Sequence, residues 1–143
     1  EIRPMYEFRV HVHALCEGQT SPATVEIDGQ TYPAIRLTGA PPHFHVTFDR
    51  ASEILATLPR MFIEPDGSFV WTGEQAGQSW QVDGVLYDEG PALSYVEMSG
   101  RCPANEFDQF LAALGWPAAP VIFQLMEAGV FLSEPTFRSF AQR

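Results

Sequence analysis

WQVDGVLYDEGPALSYVEM, residues 80–98, is the stretch on which the fold turns. Trp80 to Tyr87 and Ala92 to Met98 carry the apolar and β-branched residues of strands, and Asp88-Glu89-Gly90-Pro91 between them are turn formers. Two strands joined by so short a connection pair as an antiparallel hairpin. Asp83-Gly84 offers a competing turn within the first strand, which leaves the pairing of this segment open.

The same grammar recurs toward the N-terminus. Met61 to Glu64 and Ser68 to Thr72 flank Asp66-Gly67, and Thr24 to Ile27 and Thr31 to Leu37 flank Asp28-Gly29. Each pair reads as a hairpin. From Phe8 to Ala14, apolar Phe8, Val10, Val12 and Ala14 alternate with Arg9, His11 and His13, the period of a half-buried strand. Phe44, Val46 and Phe48 alternate in the same way with His43, His45 and Thr47, which predicts a further short strand. Asp49 is a good N-cap, and Ala51, Ile54, Leu55 and Leu58 follow at helical spacing until Pro59, so a helix is expected from Arg50 to Leu58.

Beyond Cys102 the period becomes helical. Pro103 suits a first helical position, Phe107, Phe110, Leu111 and Leu114 form one stripe, and Gly115 suits the C-terminal cap. Ala118 to Ala128 is apolar on most faces and reads as a buried helix, with a central strand around Val121 to Leu125 as the alternative. Ser133 can cap a last short helix that turns Phe137 and Phe140 inward. The expected fold is α+β in one domain, residues 1–143: a mainly antiparallel sheet of about seven or eight strands built from hairpins, with one mid-chain helix and a C-terminal helical region.

The composition acts mainly by exclusion. Eighteen acidic residues against eight basic ones give a net charge of −10, so nucleic acid and anionic membranes are poor partners. All the basic residues are Arg, scattered along the chain, and the absence of Lys removes Schiff-base and P-loop chemistry. No apolar run has the length of a membrane span, and two cysteines are too few for a disulfide scaffold, so a soluble protein of the reducing cytoplasm is the expectation. The chain starts at Glu1 rather than Met, so a targeting segment removed upstream stays compatible with that expectation. Gly-rich phosphate loops, G-x-S-x-G, H-E-x-x-H and C-x-x-C are all missing.

All four histidines fall in two H-x-H pairs, His11 with His13 and His43 with His45. On a strand, residues i and i+2 share a face, so each pair presents two imidazoles side by side. Were the two strands neighbours, four imidazoles could converge on zinc, nickel, copper or iron. Glu17 completes an H-x-H-x3-E spacing with His11 and His13 and adds a candidate fifth ligand. That spacing is similar to the first metal motif of cupins, but Met5 and Thr24 stand where the framing glycines would fall and no second motif follows. The pairs equally suit the solvent side of edge strands, where His is simply a polar residue opposite an apolar one.

Cys102, beside Arg101 at the start of the expected helix, would have its thiolate favoured by the helix dipole and the cation, which makes it a candidate reactive thiol. The carboxylate pairs Glu26 with Asp28, Glu64 with Asp66 and Asp88 with Glu89 could serve acid–base chemistry, though each flanks a turn that accounts for it. Trp71, Trp80, Tyr87, Tyr95 and Trp116 could line a pocket or fill a core. With no complete catalytic set, the leading reading is a non-catalytic module that binds a protein or small-molecule partner through its acidic surface or a sheet face. A metal-binding protein or metalloenzyme, and a thiol-dependent activity at Cys102, are the alternatives.

Overall fold

The computed structural model describes residues 4–126 and 130–142. Among the described residues nine strands form one antiparallel sheet, and the expected hairpins supply most of it. In chain order they are β1 (Met5–Ala14), β2 (Thr20–Ile27), β3 (Gln30–Leu37), β4 (Met61–Ile63), β5 (Ser68–Gln75), β6 (Gln78–Glu89), β7 (Ala92–Pro103), β8 (Val121–Leu125) and β9 (Val130–Ser133). Across the sheet the order is β2-β3-β9-β8-β1-β7-β6-β5-β4. The hairpin of residues 80–98 thus becomes β6 and β7, with β7 hydrogen-bonded to the N-terminal strand β1.

Helices α1 (Phe48–Leu55), α2 (Ala104–Ala113) and α3 (Glu134–Ala141) pack against one side of the sheet. Alternation decides which side. Tyr6, Phe8, Val10 and Val12 of β1 are buried beneath α2 and α3, whereas Glu7, Arg9, His11 and His13 face away. Phe123 stacks on Phe137 at 4.3 Å with the rings 9° from parallel, and Phe107 and Phe8 continue this aromatic centre. Trp71 and Trp80, set edge to face at 5.1 Å, extend it under β5 and β6.

Arg138 of α3 fastens the helices to one another. Its guanidinium donates to Glu134 and to the Tyr6 hydroxyl, pairs with Asp108 of α2 at 2.7 Å, and lies 5.1 Å over the Trp116 ring. A cation held by two carboxylates and three aromatic faces links α2, α3 and β1.

The structure corrects four expectations. Residues 43–46 are not a strand: Phe44 is buried and donates its N–H to the Leu93 carbonyl, and only Thr47 makes an isolated bridge, to Ala92. Pro41 and Pro42 precede this segment and Thr47 takes up the cap, so there is no length left for a ladder. The mid-chain helix accordingly begins at Phe48 and ends at Leu55, with Thr47 rather than Asp49 accepting from the Arg50 N–H. Residues 121–125 are the central strand β8 and not a helix. Pro120 and β-branched Val121 and Ile122 favour extended chain, and a strand buried on both faces has no alternation to betray it. Of that expected helix, 118–120 and 126 are turn and loop, and 127–128 lies outside the described residues.

Asp83-Gly84 does not turn but lies inside β6, opposite Ser99 and Met98. A Cβ at Gly84 would stand 2.2 Å from the Glu97 carbonyl oxygen and 2.5 Å from the Phe69 ring, so this glycine permits a close approach of strand and ring.

Candidate functional site

The side of the sheet away from the helices carries no covering element among the described residues, and its side chains are arranged in rows by register. Tyr87, Tyr95 and His13 occupy directly paired positions on β6, β7 and β1. Their rings form a continuous stack. Tyr87 lies on Tyr95 at 4.6 Å and 18°, Tyr95 on His13 at 5.4 Å and 24°, and Phe131 of β9 meets His13 at 5.8 Å. Parallel aromatic residues at paired positions gain both buried area and an offset-stacking contribution.

The adjacent row is polar. Glu97 sits opposite His11, which in turn sits opposite Gln124. The Tyr87 hydroxyl donates to Glu97 Oε1 at 3.2 Å, and this bond to a carboxylate raises the tyrosine pKa. His11 Nε2 is 3.6 Å from the same oxygen, too far for a hydrogen bond, and it has no other partner among the described residues. His13 Nε2 donates to Gln124 Oε1 at 3.0 Å. Burial lowers the His13 pKa, the bond to Gln124 opposes that shift, and the neighbouring His11 reinforces it. His13 is thereby held as a neutral ring in an aromatic stack.

A two-residue shift along each strand changes the character again. Arg9, Ser99 and Asp83 form the next row, and Glu7, Arg101 and Gln81 the one after. The uncovered face therefore grades from aromatic, beside the tip of the β6–β7 hairpin, to charged at the far end of β1.

The first H-x-H pair is brought together on β1, its rings 6.2 Å apart. The second is elsewhere. His43 is exposed and paired with Glu89 at 2.8 Å at the β6–β7 tip, and His45 is exposed beside it. Glu17 lies in a short 3₁₀ turn (Glu17–Gln19) after the end of β1. Among the described residues no three His, Cys, Asp or Glu side chains gather as a metal would need.

Cys102 lies within β7, one residue before its end, with Pro103 rather than Cys102 at the N-cap of α2; it is fully buried, and its thiol is pushed up by that burial and by Glu106. The expected lowering is reversed because the site is apolar. Of the aromatic set, Trp71 and Trp80 are core, Trp116 lies under Arg138, and Tyr87 and Tyr95 alone face outward. Asp66 is occupied with turn bonds to Ser68, which lower its pKa. Glu97, Gln124 and Phe131 were not singled out from sequence. Alternation along Tyr95-Val-Glu97-Met98 would have put Glu97 beside Tyr95, but only the register of β1 on β7 brings it to His11.

Set against family models, curated proteins and solved structures, the chain matches none. No helix among the described residues is long and apolar enough to cross a membrane.

Proposed function

We propose that this chain is a non-catalytic binding module whose recognition surface is the uncovered face of its sheet, and that the row Tyr87–Tyr95–His13 with Glu97 receives a planar cationic group, foremost the arginine side chain of a partner protein. The observation that carries this reading is the juxtaposition of stacked tyrosines with a carboxylate 3.2 Å from one of their hydroxyls, on a chain of net charge −10. No other ring covers the outer face of Tyr87 among the described residues, and a guanidinium stacked there could also reach Glu97. The overall acidity would steer such a partner to the surface and repel competing anions.

The test is titration of the whole chain with a short arginine peptide and with its citrulline counterpart, followed by amide and side-chain NMR. The arginine peptide should shift Tyr87, Tyr95, His13 and Glu97, weaken with added salt, and lose its effect in Tyr95→Ala and Glu97→Gln. Equal binding of citrulline, or shifts confined to the helical side, would defeat the proposal. So would turnover of a substrate abolished by a single substitution on this face.

A further inference from the structure

The exposed apolar surface of the described residues lies at one corner of the open face. The large hydrophobic side chains left exposed there are Phe62, at 67%, and Val70, at 41%. The two are directly paired on β4 and β5, while Met61 and Trp71, the adjoining pair, are buried toward the helices. Alternation therefore puts Phe62 and Val70 on the face that carries Tyr87, Tyr95 and His13. Val70 stands opposite Asp83 of β6, and half-buried Val85, two residues along that strand, stands opposite Glu97 of β7. Phe62, Val70 and Val85 thus form an apolar strip that ends at the carboxylate accepting from the Tyr87 hydroxyl.

The spacing decides what can cover the strip and that carboxylate together. Val70 is two strands across from Glu97 and Phe62 three, each two residues along, which at ladder spacings gives roughly 12 Å and 16 Å. On an α-helix, positions seven and eleven residues away lie about 10.5 Å and 16.5 Å along the axis and return to the same side. Extended chain laid on a sheet face leaves its own N–H and C=O groups without ladder partners, whereas a helix bonds its own. Helices already cover the other face of this sheet. Asp83 and Glu97 flank the strip in a chain of net charge −10, so the helix that suits it is basic on its polar side.

We infer that the open face receives a basic amphipathic helix of a partner protein, with an arginine at the Tyr87–Glu97 site proposed above and apolar side chains seven and eleven positions away over Val70 and Phe62. The helix depends on that arginine site as its anchor. The strip adds affinity and, because it extends to one side of Glu97, sets the line along which the helix lies.

The experiment titrates the full chain with end-blocked peptides of alanine and glutamine, about 18 residues long, that carry one arginine and two leucines at those spacings, with the arginine toward either end. Counterparts replace both leucines, or the arginine, by glutamine. Calorimetry should give roughly tenfold tighter binding with the leucines than without, the scale of half-burying two such side chains. NMR should show shifts at Phe62, Val70 and Val85 that the leucine-free peptide does not cause. Phe62→Ser should remove the gain without lowering the melting temperature. Equal binding with and without leucine, or a gain that survives Phe62→Ser, would overturn the inference and leave the arginine site standing. Binding that is unchanged when the arginine is replaced would defeat the arginine site, and the placement of the helix with it. Sedimentation of the chain alone supplies the other arm: a dimer that grows with concentration and is lost in Phe62→Ser would assign the strip to a second copy instead.

Discussion

The two faces of this sheet are made by the same strands, residue by alternating residue, and they solve opposite problems. On the helical face β1 contributes Tyr6, Phe8, Val10 and Val12 to an interior where every buried residue among those described is apolar, and where the one cation, Arg138, is held by two carboxylates and a hydroxyl. On the other face the same strand contributes Arg9, His11 and His13 to a half-exposed band of rings and polar atoms, one of which, His11 Nε2, lacks a hydrogen-bond partner among the described residues. A face that fills its volume with apolar side chains is built for stability. A face that leaves rings and a carboxylate accessible has something to offer a partner.

The contrast can be broken from either side. The largest effect should come from Phe137→Ala, which removes a fully buried ring stacked on Phe123 and should cost about 3–5 kcal/mol in denaturant unfolding while leaving ring contacts on the open face as they are. Gly84→Ala should cost roughly 1–3 kcal/mol, because the new methyl meets backbone oxygen at 2.2 Å, and it should disturb both faces together since it separates β6 from β7. Arg138→Gln should lose about 2 kcal/mol by leaving Asp108 and Glu134 without their charged donor, with no change in arginine-peptide binding.

Tyr95→Ala inverts that pattern. It removes the middle ring of the stack, and should cost only about 1 kcal/mol of stability while abolishing the shifts caused by the arginine peptide. A loss of stability comparable to that of Phe137→Ala would show that the open face is structural after all.

The smallest effect expected is on pH dependence. Burial sets the native pKa of His13 below its unfolded value of 6.5, so the unfolded chain takes up the proton first as pH falls. The stabilisation is present above 6.5 and is lost as pH drops from there through the lower native value. The melting temperature should thus fall between pH 7.5 and 5.5, and His13→Gln should remove part of that fall. An identical slope in the variant would assign the dependence to other groups.

The local grammar of the fold was legible in the residues. Turn formers at Asp28-Gly29, Asp66-Gly67 and 88–91 marked three hairpins, and the stripe from Phe107 to Leu114 marked α2, because each of these signals is carried by neighbours in the chain. The expected failures occurred where the chain stops being amphipathic or where a period is too short to bind. β8 is apolar on both faces, which periodicity cannot separate from a buried helix, and the six-residue alternation of 43–48 was overridden by the docking of Phe44 on Leu93. At the site, the identity of His11 and His13 as a pair on one face was readable, and so was the outward direction they share.

What the sequence by itself determined is three hairpins, the alternation of side chains along their strands and along β1, and a net charge of −10. Which residues meet was decided only by the tertiary structure. His13 joins Tyr95 and Tyr87, Glu97 faces His11, Phe131 meets the His13 ring, and His43 goes to Glu89 instead of to the first pair. The physical reason is that register between strands distant in sequence is fixed by the whole buried face at once: a slip of one residue would turn Phe8, Val10 and Val12 to water. The burial of the helical face therefore aligns the rings of the open one.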